Sequence, residues 1–152
     1  MPLEVVRLKH YSLEIATGIG SLMPQLDPRM SNAPTPQKRL EKIIHSPERD
    51  QLVALNQARV VGAATMNIVM GAGKDSEGWL EDFIVDQSFR GQGVADALWN
   101  EMQAWCRDKE LPGFSFETES YRTAAIAFYQ QHGAQLVEGT TTHYTMPVPQ
   151  VI

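Results

Sequence analysis

The chain is poor in the features that would take it out of the class of ordinary folded domains. It has one cysteine, Cys106, so no internal disulfide can form and nothing ties the fold to an oxidising compartment. Its apolar runs fall far short of the roughly 20 residues a membrane span requires. Basic residues are outnumbered, 13 Lys and Arg against 18 Asp and Glu, for a formal charge of −5. That balance argues against nucleic acid as the main partner, since phosphate binding calls for a basic face. The four histidines, His10, His45, His132 and His143, are not spaced as metal ligands and no cysteine cluster accompanies them, so no metal is expected. Met1-Pro2-Leu3-Glu4 lacks the basic-then-apolar pattern of a secretory signal. The expectation is a cytoplasmic protein without a membrane anchor.

What the chain does have is enough apolar material for a core. Hydrophobic residues make up 43% and charged residues 20% of 152 positions, which excludes a disordered chain and fits one domain of ordinary size. There is no repeat and no linker, so residues 1–152 are expected to form a single domain. Leu3 to Leu8 reads as a strand. Residues 11–23 read as a helix with Ile15, Ile19, Leu22 and Met23 on one stripe, ended by Pro24 and Pro28. The loop 24–36 follows. Thr35 as N-cap and Pro36 at the first helical position open a second helix, which Ser46-Pro47 stops.

Strands are expected at 52–55, 59–70 and 79–85, antiparallel because their connections are short. A helix at 92–108 carries Val94, Leu98, Met102 and Trp105 at helical spacing. Phe114 to Glu117 is a short strand. Residues 122–132 form a helix with Ala125, Phe128 and Tyr129 inward and Gly133 as its C-terminal cap. Gln135 to Val137 and Thr140 to Met146 read as two further strands.

The most informative stretch is Arg90-Gly91-Gln92-Gly93-Val94-Ala95, a glycine turn between a strand and a helix. Two glycines let a backbone approach a ligand closely. The first amides of the helix have no internal partner, and with the helix dipole they suit a pyrophosphate. Arg90 can add a charge-assisted contact. The P-loop spacing, with its Gly-Lys-Ser/Thr ending, is absent. The dinucleotide fingerprint fails too, since Asp96 stands at its third glycine position and the preceding strands form an antiparallel meander.

The turn resembles the acyl-CoA loop of the GNAT superfamily of N-acetyltransferases, which reads Arg or Gln, two residues, Gly, one residue, Gly or Ala; Arg90, Gly93 and Ala95 match it. Glu81-Asp82-Phe83-Ile84-Val85-Asp86 resembles the strand leading into that loop. Ala125-Ile126-Ala127-Phe128-Tyr129, followed by Gly133, resembles a later helix of the family. Arg122 and Ala134 depart from it, standing where Asn and Phe are usual.

The resemblance implies an α/β (mixed α+β) acyl-CoA N-acyltransferase fold with a mostly antiparallel sheet of about seven strands flanked by helices. It implies acetyl-CoA as acyl donor and transfer of an acetyl group to an amine. The cofactor contacts it implies are Arg90, Gly91, Gln92, Gly93, Val94 and Ala95, with the backbone of Phe83, Ile84 and Val85 holding the pantetheine arm where strands four and five splay. It suggests Tyr129 as the acid that protonates the leaving thiolate.

The resemblance also implies a base, or an acid that holds a water, on the strand before the loop. Glu81 and Asp82 are adjacent, so on a regular strand they face opposite sides; Glu81, sharing parity with Trp79 and Phe83, is favoured, with Asp82 or a water relay as alternatives. Glu117 and Glu119 are further candidates for acceptor contacts. Asp75, Glu77, Glu81, Asp82 and Asp86 lie in a segment with no Lys or Arg from 75 to 89, which favours a cationic acceptor; a solvated acidic face is the alternative. The acceptor is a small-molecule or peptide amine, framed by residues 24–36 and 71–76. Cys106 is read as a helix residue rather than a nucleophile, so transfer is direct, in a ternary complex. A non-catalytic CoA-binding regulatory domain is the alternative, and a homodimer is one open possibility for the assembly.

Overall fold

The computed structural model describes residues 3–150. It divides into two compact units, Met1–Phe116 and Glu117–Ile152, taken in turn; the outermost residues of the expected 1–152 domain, 1–2 and 151–152, lie outside the described part.

The first unit is a five-stranded sheet in the order β1-β2-β3-β4-β5, with β1 Leu3–Arg7, β2 Arg49–Asn56, β3 Arg59–Gly71, β4 Lys74–Val85 and β5 Phe114–Ser115. The first four are antiparallel: β2, β3 and β4 as their short connections require, and β1 against β2 across a long connection that carries two helices. Gln57 and Ala58, both at positive φ, make the two-residue turn between β2 and β3, the backbone form that matches strand twist. β5 follows a helical crossover and runs parallel to β4, paired at Gly78 with Phe114 and at Trp79 with Ser115.

Helices cover both faces. Ala16, Ile19 and Leu22 of α1 (Leu13–Leu26) and Leu40 and Ile44 of α2 (Gln37–Ile44), with Leu8 from the connection after β1, bury against Val53, Ala63 and Ile84 of the sheet. On the opposite face lies α3, Val94–Asp108. Its Trp105 is fully buried and donates from Nε1 to Asp50 on β2 at 2.8 Å. Its Glu101 and Asp108 take both arms of Arg7 from β1, at 2.7 and 2.8 Å.

Two helix boundaries differ from the sequence reading. Pro24 lies inside α1, which continues to Leu26. Proline forfeits its own amide bond, but the Asp27 N–H still reaches the Met23 carbonyl at 3.0 Å, so the last turn closes. Pro36, not Thr35, caps α2: its carbonyl accepts the Leu40 amide at 3.0 Å, the first bond of the helix.

The second unit contains α4, Thr123–Gln131. His132 follows it and Gly133 sits at φ +89. The Gly133 amide bonds Gln130 and the Ala134 amide bonds Tyr129 at 3.0 Å, the paired bonds that close a helix on a left-handed residue. The two strands expected at 135–137 and 140–146 are not assigned among the described residues. The sequence there has strand propensity, but a strand exists only when a second one pairs with it, and Leu136, Val137, Tyr144 and Met146 are all exposed. The sheet therefore has five strands rather than about seven.

Candidate active site

The glycine turn lies where strand gives way to helix. β4 ends at Val85, and Asp86 caps a short 3-10 turn, Gln87–Phe89, by accepting the Ser88 amide at 3.1 Å. Arg90 is extended and exposed. Gly91 and Gly93 both adopt left-handed φ, +78 and +83, which only glycine occupies without strain. Gly93 is the N-cap of α3 and has no side chain to cap it. A Cβ built on either glycine would meet nothing within 4 Å, so the backbone of the turn faces open space. The matching motif residues, Arg90 through Ala95, thus present a helix N-terminus with its dipole directed outward.

β4 supplies the second part. Beyond Trp79 its edge away from β3 has no paired strand among the described residues, because β5 is registered only with Gly78 and Trp79. Phe83, Ile84 and Val85 lie along this stretch, which leads directly into the glycine turn. Pairing between strands four and five thus ends before the stretch where a splay is expected.

The strand is not regular. Glu81 pairs with Thr65 and Ile84 with Ala63, so two residues of β4, Asp82 and Phe83, stand opposite Ala64 alone. Asp82 has φ +50, an uncommon conformation for a non-glycine residue. This is a β-bulge, a device that re-aims side chains and is frequent beside functional sites. It overrides the simple alternation used to set Glu81 and Asp82 apart. Glu81 does share a face with Trp79, whose Nε1 donates to its Oε1 at 2.7 Å, but the shared parity with Phe83 is broken by the extra residue. Desolvation raises the Asp82 carboxyl above the usual carboxylate range; the Glu81 carboxylate adds to this and Arg39 of α2 opposes it.

The acidic segment is therefore partly compensated in space. Arg39 acts on Asp82. Arg59 from the start of β3 pairs with Asp86 at 3.1 Å. Lys74 stands 4.0 Å from Glu77, which also accepts from the Ser115 hydroxyl at 3.3 Å.

In the sequence Asp86 counts only among the acids read as favouring a cationic acceptor. It is 4% exposed, and burial works against its charge, but the Ser88 amide, Gln25 and Arg59 together bring its carboxyl below the usual range. Gln25 and Arg59 were unmarked, since both come from elements distant in sequence. Trp79 carried a faint signal, its i,i+2 spacing from Glu81 on one strand.

The structure brings Glu81, Phe83, Ile84, Val85 and Arg90 to Ala95 together on one strand–turn–helix unit. Tyr129 belongs to the second unit, on α4, as do Glu117 and Glu119 in the segment before that helix. The Tyr129 ring meets the Phe128 ring edge-on at 6.0 Å, and His132 stacks on Phe128 at 3.9 Å. Desolvation raises the Tyr129 phenol above its ordinary value against the pull of Arg122, so it is protonated at neutral pH. Cys106 is buried, and burial pushes its thiol up to about 11; a thiol so held is a poor nucleophile. No group of three or more metal-ligating side chains occurs among the described residues, and no helix among them is long and apolar enough to cross a membrane.

Comparisons with known proteins agree with this geometry. No curated protein matches the chain. Among solved structures, an aminoglycoside acetyltransferase from an uncultured soil metagenomic sample superposes with a TM-score of 0.81 at 19% identity, over 98% of this chain and 100% of that one. The aminoglycoside acetyltransferase AAC(6')-Iy, solved with a bisubstrate analogue, CoA-S-monomethyl-acetylneamine, gives 0.76 at 22% identity over 97% and 100%. An acetyltransferase of Trypanosoma brucei gives 0.71 at 21% identity over 95% and 100%. At these identities the likeness is one of fold. The profile of the acetyltransferase (GNAT) family matches residues 21–134, three quarters of the sequence, and the chain belongs to that family.

Proposed function

We propose that this acetyltransferase takes its acyl group from acetyl-CoA and delivers it directly to the amine of a small molecule, with residues 1–152 acting as one catalytic domain in the cytoplasm. The observation that carries this reading is the strand–turn–helix unit: a β4 strand whose pairing with β5 ends at Trp79, running into two left-handed glycines and a helix that starts on a residue with no side chain. The solved relatives with bound CoA or a CoA-based analogue support the choice of donor. The relative solved with sisomicin supports a small polar amine as acceptor.

The amides of residues 91–95 and the Arg90 guanidinium bind the pyrophosphate, and the backbone of Phe83, Ile84 and Val85 orients the pantetheine arm. Acetyl-CoA supplies a thioester carbonyl, activated towards amines. Amines arrive as ammonium ions and must lose a proton to attack. Glu81, steadied by the Trp79 indole, takes that proton at its carboxylate. The N–C bond forms as the C–S bond breaks, and the Tyr129 hydroxyl gives its proton to the departing sulfur. Two proton transfers and one acyl transfer balance the reaction without a covalent enzyme adduct, in keeping with the buried thiol of Cys106.

The test is calorimetry with CoA, followed by thiol release from acetyl-CoA across a panel of small amines and aminoglycosides. The expected result is CoA binding and turnover with at least one acceptor. CoA binding with no turnover on any acceptor would favour a regulatory CoA-binding domain, and no CoA binding would remove the reading altogether.

A further inference from the structure

The glycine turn can present its amides to a pyrophosphate only if the strand end before it is held still. Glycine costs more conformational entropy to order than any other residue, and the turn holds two within three positions. The rigidity is supplied at Asp86. Its Oδ1 accepts the Ser88 amide at 3.1 Å and faces the Gln25 amide at 3.4 Å, while its Oδ2 is paired with Arg59 at 3.1 Å. Arg59 also lies over the Phe89 ring, 5.2 Å from its centroid. The Gln25 side chain completes the bracket, its Oε1 accepting the Gln87 amide at 2.8 Å. One carboxamide thus holds the 3-10 turn from both sides, through its oxygen to Gln87 and through its nitrogen to Asp86.

Gln25 comes from the last turn of α1, at the head of the 24–36 segment. That segment is folded back onto its own helix. The Thr35 amide bonds Ala16, and the Ala33 carbonyl lies so close to Gly20 that a Cβ there would collide with it. The bracket therefore ties the glycine turn to a braced element, not to a loose loop.

We propose that Gln25 and Asp86 are positioning residues for the cofactor turn, which set the affinity for CoA without touching it. The proposal rests on the reading that CoA binds at residues 90–95. The charged groups bonded into this bracket are Asp86 from the end of β4 and Arg59 from the start of β3, and the Asp27–Arg29 pair follows Gln25 on its own segment; Gln25 itself is neutral, and that neutrality is essential. Replacing its amide nitrogen by an oxygen turns a donor into an acceptor facing a carboxylate.

The test is Gln25→Glu alongside Gln25→Met, with CoA affinity measured by calorimetry as a ratio to wild type near neutral pH and at about pH 5. Ionised, the introduced carboxylate keeps a bond to the Gln87 amide but repels Asp86, and CoA binding should weaken by at least about tenfold. The neighbouring Asp86 charge raises the pKa of the introduced carboxyl, so acidification restores a proton and a donor there, and affinity should return to within about threefold of wild type at about pH 5. Met matches the length but cannot bond, so its deficit should be the same at both pH values. In the CoA-free protein, amide exchange at Gln87 should be faster in the Met variant. The KM for acetyl-CoA should rise with little change in kcat.

If both variants bind CoA like wild type, or if a folded Glu variant shows no recovery on acidification, the proposal is wrong. Should the Glu variant fail to fold, the Met variant decides, and unchanged Gln87 exchange with unchanged CoA affinity overturns it. A wild-type chain that does not bind CoA would overturn this proposal together with the reading beneath it, whereas the variant results bear on Gln25 and Asp86 alone.

Discussion

Besides Gly18-Ile19-Gly20 inside α1, two turns of this chain share the pattern Gly-x-Gly: Gly71-Ala72-Gly73 and Gly91-Gln92-Gly93. The first joins β3 to β4, closes with Gly71 opposite Lys74, and has neither glycine in the left-handed region. The second joins β4 to α3 and holds both glycines at positive φ. A strand that returns on its neighbour satisfies its own amides. A turn that opens a helix leaves the first amides of that helix without internal partners. The same composition is a connector in one place and a candidate anion site in the other, and what separates them is the element that follows.

The sharpest way to break this contrast is a side chain in each turn. Gly93→Val combines a β-branched residue with φ +83, so it strains the backbone as well as filling the ligand path. CoA affinity by calorimetry should fall by about 10³-fold or beyond detection. Gly73→Ala, where a Cβ meets nothing within 4 Å and φ lies outside the left-handed region, should leave CoA affinity within about twofold. Equal effects at the two turns would mean that the second is not the cofactor site. Because Gly93→Val can also loosen the start of α3, its melting curve has to be read beside the affinity.

Chemistry beyond the turn is tested at Tyr129. Tyr129→Phe keeps the ring that packs edge-on to Phe128 and removes one oxygen. Turnover should fall by about 10²-fold while CoA affinity barely moves, the signature of a proton donated only in the transition state. A variant within about twofold of wild type in turnover would exclude the phenol as the acid.

A smaller effect is expected at the carboxylate on β4. Glu81→Gln retains an acceptor for the Trp79 indole but cannot take a proton. The rate should drop by about tenfold near neutral pH and recover in part at high pH, where the amine loses its proton unaided. A mutant-to-wild-type ratio that stays flat with pH would shift the role to Asp82 or to water.

The least effect is on stability. The Asp86 carboxyl is held below its usual range, so its charged form contributes stability above the ordinary carboxylate pKa of about 3.9, and that contribution is lost as pH falls through the lower folded value. Asp86→Asn should therefore lower the melting temperature by a few degrees near neutral pH, about 2–8 °C, and the gap should close in strong acid. A gap constant down to about pH 2 would show that the charge is not what Asp86 contributes.

How much of this was legible beforehand divides along a physical line. Local pattern carried the helix at 94–108, since Val94, Leu98, Met102 and Trp105 recur at the period of one buried face, and all four are buried. It carried the three antiparallel strands, because connections as short as those expected at 56–58 and 71–78 cannot join parallel ones. Strand propensity at 135–146 misled, because propensity states what a segment can do and not whether a partner edge is there.

By itself the sequence determined the order of the elements along the chain as far as α4, the place of the glycine turn and the residue types within it, all properties written in short windows and fixed by period and backbone freedom. Tertiary structure alone decided the bulge at Asp82, which depends on how β3 and β4 fall into register, and the parallel seat of β5, which depends on the crossover through α3. It decided as well that Gln25 and Arg59 meet at Asp86, although they lie 61 and 27 positions from it. Contacts of that kind arise only when separate elements are packed against each other, and the spacing within any one of them holds no record of the neighbour it will meet.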